Sequence, residues 1–421
     1  MTSRERITFT LNHEIPDRVP LDLGGSGVTG MHVSTVYKLR QALQLDKPGT
    51  PVKVIEPYQM LGEIAPDLID ALGVDVVELT GRGTMFGFDK EGWRPWEFFD
   101  GTPVLVPAGF NTDPEPDGRI LMYPKGDKSA PPSGQMPHNG FYFDTIVRQE
   151  PLDEDQLSVE DNLEEFGPLK DEEIEYFRNE AERLYNQTDK AIFASFPALG
   201  FGDIALVPAP WMKYPKGIRD IEEWYFSLAA RQDFVMEIFE RQCEISLANL
   251  ARLYEAVGDR ASMVFVTGTD FGLQTGPFIS PKSYCTLFQP FHHRLNDWIH
   301  QNTPWKTFIH SCGSIIDLIP DMLDAGFDVL NPVQTAATGM DPVVLKKRFG
   351  DRVVFWGGGV DTQRTLPFGT ADEVRQEVRE RLRIFGEGGG FVFNTVHNVQ
   401  PNIPVENVLA MYETVRDFGG Y

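Results

Sequence analysis

The chain predicts a (β/α)8 barrel, a TIM-type fold, with a β-rich insertion after its second strand. Three observations predict it. Short apolar runs begin near residues 18, 74, 191, 263, 306, 328, 353 and 391, which makes eight strands. Stretches of helical periodicity lie between most of them, and alternating strands and helices build a parallel sheet. Residues able to hold a ligand follow directly on several runs: Asp270, His310, Cys312, Gln334, Asp361 and His397. Barrel enzymes carry their chemistry at these C-terminal strand ends. Residues 1–421 read as a single barrel domain, with 81–148 as the insertion. A doubly wound open sheet is the alternative architecture.

In chain order, Arg18 to Gly24 reads as the first strand, followed by a glycine-rich turn and a helix near Ser34 to Leu45. A second helix is expected from about Tyr58 to Leu72, leading into the apolar run Val74 to Leu79. Residues 81–148 change character, with Trp93, Trp96, Phe98 and Phe99 interspersed with prolines and the turn pairs Asp100-Gly101 and Asp117-Gly118. Such Asp-Gly pairs mark hairpins. A structural flap is the favoured reading of this stretch, over a lid that lends aromatics to a pocket. Residues 150–182 are heavily acidic and read as a solvated linker and helix face.

A strand–helix rhythm follows. Ala191 to Phe196 is a strand, then helices are expected near Ile221 to Arg231 and Phe234 to Val257. The strand Met263 to Thr267 ends at Gly268-Thr269-Asp270. Ser280-Pro281 caps and opens a helix running to about His300. The strand Lys306 to Ile309 precedes a helix expected from Ser314 to Ala325. After Val329 to Val333, Val353 to Trp356 runs into three glycines, and Thr370 with Glu373 forms a capping box. Phe391 to Phe393 is the last strand and Pro404 to Phe418 the closing helix.

Composition narrows the function. Of 421 residues, 41% are hydrophobic, enough for a large core, and the formal net charge is −24. Such a surface repels phosphates, which argues against nucleic acid and anionic membranes. Cys243, Cys285 and Cys312 form no framework of spaced pairs, pointing to a reducing, cytoplasmic location. No apolar run reaches membrane-spanning length, and Met1 to Arg6 lacks the apolar region of a signal peptide.

The motif that organises the chain is His310-Ser311-Cys312-Gly313 at a strand end. Strand side chains alternate, so His310 and Cys312 point the same way and offer an imidazole and a thiolate to a soft divalent metal. The bland alternative is a core histidine beside a small buried cysteine. His397, at the end of the last strand, would complete a His2Cys zinc site with an open fourth position. Asp270 is the candidate general acid or base, against a loop-capping role. Gln274, Gln334 and Asp361 are candidate substrate contacts. Gly25-Ser26-Gly27-Val28-Thr29-Gly30 fits a dinucleotide fingerprint, but the next strand and its acid, Glu78, come far too late for a compact βαβ unit. A tight turn at a barrel mouth fits better.

These segments, Asp270-Phe271-Gly272-Leu273-Gln274-Thr275-Gly276-Pro277, His310-Ser311-Cys312-Gly313-Ser314, Asn331-Pro332-Val333-Gln334 and Gly357-Gly358-Gly359-Val360-Asp361, resemble the uroporphyrinogen decarboxylase superfamily. Within it the chain is similar to the methyltransferase-like branch that serves corrinoid (cobalamin) proteins. The resemblance implies a (β/α)8 barrel. In the methyltransferase branch it implies zinc on the His-x-Cys pair plus a later cysteine, where this chain has His397. Uroporphyrinogen decarboxylases themselves carry an arginine-rich R-Q-A-G-R segment after the first strand to grip carboxylates; here the glycine turn stands instead. The function expected is a zinc-dependent methyltransferase moving a methyl group between a small methoxylated, methylated or thiol substrate and a corrinoid carried by a partner protein. A decarboxylase or related lyase acting on a small carboxylic acid is the alternative. A non-catalytic corrinoid-protein binder is a third, disfavoured by the ligand-type residues at several strand ends.

Overall fold

The computed structural model describes residues 1–164, 166–200 and 202–420. Its frame is a curled parallel sheet of seven strands, Val76–Thr80, Ala191–Ser195, Ala261–Thr267, Lys306–His310, Val329–Asn331, Val354–Trp356 and Phe391–Val392, hydrogen-bonded in that order. The stretch expected as the first strand sits between the two sheet edges but makes only single bridges. Asp22 N–H donates to the Phe393 carbonyl (2.9 Å), Phe393 N–H to that of Pro20 (2.8 Å), and Asp75 N–H to that of Leu21 (2.8 Å). Pro20 has no N–H to extend this ladder, and Gly24 turns the chain away at φ +77°.

The barrel interior is filled from below. Helix Ser3–Leu11, capped by Thr2, inserts Ile7 and Leu11 into a cluster with Val76, Phe193, Phe308 and Trp356. The rings of Phe193 and Phe308 lie 4.6 Å apart, and Trp356 is edge-on to both at 5.8 Å. Such pairs add roughly 0.5–1.5 kcal/mol each beyond their burial. They make an aromatic floor. Above it, the same alternation brings polar residues inward: Glu78 follows Val76, Ser195 follows Phe193, His310 follows Phe308 and Asn331 follows Val329.

Several expected elements differ. Residues 52–62 form strands Val52–Glu56 and Leu61–Gly62, and only Pro66–Leu72 is helical. The Glu56 carboxylate accepts the N–H groups of Tyr58 (3.0 Å) and Gln59 (2.8 Å), holding a turn where a helix was expected. The helix opened by Ser280 breaks at Phe288 into Pro281–Leu287 and Gln289–Asn302, because Pro290 cannot donate to the preceding turn. The helix after Ser314 is only Ile319–Asp324; the Ser314 hydroxyl donates to the Thr338 carbonyl (2.6 Å) instead of capping it. The Thr370 capping box forms as expected.

The insertion is β-rich. Hairpin Arg94–Glu97 with Pro103–Val106 joins the 52–62 strands in a mixed sheet, and Ile120–Met122, Gly134–Met136 and Asp144–Thr145 form a separate sheet that is antiparallel throughout. Its buried and half-buried rings pack on one another: Phe86 on Phe143 at 5.6 Å, Phe98 on Phe141 at 5.7 Å, Trp96 on Phe110 at 5.2 Å. His32 pins it to the barrel, with Nε2 2.9 Å from the Phe141 carbonyl oxygen.

Candidate metal centre

His310 ends its strand in register with Asn331 on the next. Asn331 Nδ2 donates to the Trp356 carbonyl (2.8 Å), which turns its Oδ1 towards the imidazole. His310 Nδ1 is 2.6 Å from that oxygen and therefore carries the proton. Nε2 is left with its lone pair, 3.4 Å from Cys312 Sγ. Burial lowers the His310 pKa, against the pull of Asp270 and Asn331, and keeps the ring neutral.

Cys312 lies beyond the strand in a loop fixed at every step. Its N–H donates to Asp270 Oδ1 (2.7 Å), and its carbonyl accepts from Gly272 N–H (3.1 Å). Gly313 follows at φ +89°, with its α-carbon so close to Gly272 that an added Cβ would lie 2.2 Å from the Gly272 oxygen. Burial, reinforced by Asp270, pushes the thiol pKa well above its ordinary value. A free thiolate is thus disfavoured here, and a cation is what would stabilise one.

His397 sits five residues past the two-residue strand Phe391–Val392, in a loop where the Thr395 hydroxyl donates to the His397 carbonyl. Its ring centroid is 5.5 Å from that of His310. Burial, then His310, lowers its pKa to about 4. One ligand atom each from His310, Cys312 and His397 lies within 4.8 Å of the others. Two neutral imidazoles and one thiol converging in this way fit a soft divalent ion.

Asp270 shares the site, with Oδ1 3.9 Å from His310 Nε2, and it is half-buried. The other expected contacts are used by the protein's own loops. Gln334 Oε1 accepts Gly313 N–H (2.8 Å), its Nε2 donates to Gln274 Oε1 (3.1 Å), and Gln274 Nε2 donates to the Ala336 carbonyl (2.8 Å). Asp361 Oδ1 accepts the N–H groups of Gln363 (2.7 Å) and Arg364 (3.0 Å), turning the chain into helix Thr365–Phe368. The glycine-rich turn is tied to the last loop: Gly30 N–H donates to Asn398 Oδ1 (2.6 Å) and Asn398 Nδ2 to the Gly27 carbonyl (3.0 Å).

Sequence reasoning missed three acids and an amide. Asn331 falls within one of the motif segments, but no role follows from its position in the sequence. Asp203 is buried; its oxygens accept from Ala205 (2.9 Å) and Gly268 (3.2 Å), and desolvation, with Asp270 adding, raises its pKa to about 7. Asp22 and Glu78 are each raised to about 6, chiefly by burial. Strand parity was the available signal for Glu78; nothing local marks Asp203.

Comparison with known proteins follows the same lines. A family model described as uroporphyrinogen decarboxylase (URO-D) matches residues 158–418, more than half of the chain. A uroporphyrinogen decarboxylase from Geotalea uraniireducens is 27% identical over 220 residues, covering 52% of this chain and 59% of that protein. One from Pseudoalteromonas translucida is 27% identical over 157 residues, 34% of this chain and 39% of the other. The matches thus span less than two thirds of these relatives' own length. A solved structure of a methyltransferase from Methanosarcina mazei superposes with a TM-score of 0.56 over 99% of both chains at 16% identity, a likeness of fold.

Proposed function

We infer the reaction from one premise: the chain belongs to the uroporphyrinogen decarboxylase family. The reading best supported is a zinc-dependent methyltransferase, moving a methyl group between a small methoxylated, methylated or thiol substrate and a corrinoid on a partner protein. The observation that carries it is the convergence of His310, Cys312 and His397 within 4.8 Å. Zinc bound there lowers the pKa of a thiol or polarises an oxygen. The chain's own groups do the rest. Asn331 holds His310 with Nε2 free to donate its lone pair. Cys312 is held by its backbone on Asp270 and Gly272. Asp270 is half-exposed beside the donors and holds the substrate's acidic hydrogen on a carboxylate oxygen. The methyltransferase from Methanosarcina mazei shares the fold over the full length, which is compatible with this chemistry.

The decarboxylase reading draws on the names of the relatives. The charge of the barrel mouth weighs against a substrate with many carboxylates. Asp22, Glu56 and Asp270 stand at strand ends or adjoining loops and Glu78 within its strand, with Lys90 as the cation acting on Glu56 and Glu78.

Two measurements test the proposal together. Protein prepared without chelator should carry one zinc per chain, and Cys312→Ser should lose metal and activity while keeping its circular dichroism spectrum. Mixed with methylcobalamin or a corrinoid protein and candidate substrates, the wild type should change the corrinoid absorption. Absence of stoichiometric zinc, with CO2 released from a small acid and no corrinoid-dependent change, would put the decarboxylase ahead.

A further inference from the structure

Glu78 is an acid built into the barrel interior that the metal chemistry does not use. It lies two residues after Val76, which packs in the aromatic floor, so strand alternation turns it inward one layer higher. Its register partner is Phe193, and Thr80 pairs with Ser195 on the same neighbouring strand. The strand is three places from Lys306–His310 in the sheet. In a closed barrel that sets Glu78 across the mouth from His310.

Glu78 differs from the two acids nearest it in charge interaction. Asp22 has one oxygen on Gly25 N–H (2.8 Å) and the other on the Trp356 indole N–H (2.8 Å). Glu56 has one on Tyr58 N–H (3.0 Å) and the other on Gln59 N–H (2.8 Å). Among the described residues no backbone N–H donates to Glu78; Lys90 and Ser195 act on its titration, and Lys90 also acts on Glu56. Glu78 is crowded enough for desolvation to dominate its titration, yet it keeps accessible surface. Half-buried and on the inward face of its strand, Glu78 is not sealed into the core. Asp22 and Glu56 add negative charge beside it, which Lys90 offsets in part.

We propose that Glu78 determines substrate specificity by pairing with an ammonium group on the substrate, at the end of the molecule remote from the His310–Cys312–His397 donors. The substrate class is then a small amine bearing its methoxy, methylthio or thiol group several ångströms from the nitrogen. The inference rests on the methyl-transfer reading only for what happens at that second end. A charge-assisted hydrogen bond in a low-dielectric wall gives orientation as well as affinity. Carboxylate substrates are repelled by the same wall.

Calorimetric titration of metal-free protein at pH 8 tests this without zinc or turnover, so its failure is distinct from failure of the methyltransferase reading. The probes are meta-methoxybenzylamine, meta-methoxybenzyl alcohol and meta-methoxybenzoate, which share ring and methoxy group and differ in charge. The amine should bind wild type about ten-fold or more tightly than the other two, the scale of one charge-assisted pair. Glu78→Gln, isosteric and uncharged, should bring the three within about two-fold of one another. Equal affinities in the wild type, no binding by any probe, or an amine preference that survives Glu78→Gln would overturn the proposal. Equal affinities in the wild type overturn it even if the variant folds poorly.

Discussion

Asn331 Oδ1 lies 2.6 Å from His310 Nδ1 while its own amide nitrogen donates to the Trp356 carbonyl at 2.8 Å. Three neighbouring strands are thereby tied to one imidazole tautomer. Partners of this kind commonly alter metal affinity by about 10–100-fold. Asn331→Leu should weaken zinc binding on that scale, measured by competition with a chromophoric chelator. It should also cost stability by about 1–3 kcal/mol, because the Trp356 carbonyl and His310 Nδ1–H are left buried without partners. Unchanged zinc affinity in a folded variant would show that the pair does not set the tautomer.

Gly313 holds the Cys312 loop against Gly272 at a backbone angle of φ +89°, and an added Cβ would meet the Gly272 oxygen at 2.2 Å. Both the angle and the backbone contact forbid a side chain. Gly313→Ala should lower stability by more than about 1 kcal/mol and release metal, although it removes no ligand. Thermal melting and metal analysis check both. Full zinc occupancy with an unchanged melting temperature would mean the loop relaxes freely.

Asp203 makes a pH-dependent prediction. Its folded pKa is raised to about 7 from the ordinary 3.8, chiefly by desolvation. The unfolded chain therefore releases this proton first. The neutral acid contributes fully below the unfolded value, and that contribution is lost as pH rises towards and through 7. Every pH unit separating the folded from the unfolded value corresponds to about 1.4 kcal/mol. Asp203→Asn keeps an acceptor for Ala205 N–H and removes the titration, so its melting temperature should gain on the wild type from pH 5 to pH 8. A difference that stays constant over that range would mean that Asp203 titrates normally.

The barrel was legible because its strands are buried on both faces and read as short continuous apolar runs; Val76, Phe193, Phe308 and Trp356 all fall in such runs and all lie in the interior. Strand parity pointed to His310 and Cys312 as a pair, although Cys312 lies past the strand end and is placed by its loop contacts with Asp270 and Gly272. His397 was harder, because the last strand is only Phe391–Val392 and the histidine arrives through a loop. What the chain does not disclose locally is where polar side chains spend their bonds. Ser314 looks like a helix cap but bonds to Thr338, and Tyr58 to Glu63 looks helical until Glu56 captures the N–H groups of Tyr58 and Gln59. Each is settled by a partner across a loop or turn, and periodicity is blind to it. The break at Pro290 was written in the sequence and is a local consequence of a missing donor.

Gln274 and Gln334 separate two readings of the same pair. As substrate contacts they would leave the metal loop unaffected when truncated. As the structure has them, Gln334 joins Gly313 N–H to Gln274, and Gln274 continues to the Ala336 carbonyl, so the loops after three strands are laced together beside Cys312. Each alanine substitution should cost about 1 kcal/mol and lower zinc affinity, because Gly313 is the residue next to a ligand. The double variant should cost less than the sum, since either change breaks the same chain, with a coupling of about 0.5–3 kcal/mol. Denaturant melts and chelator competition on the two single variants and the double variant measure this. A rise in KM with unchanged zinc affinity, unchanged stability and no coupling would return both glutamines to the substrate.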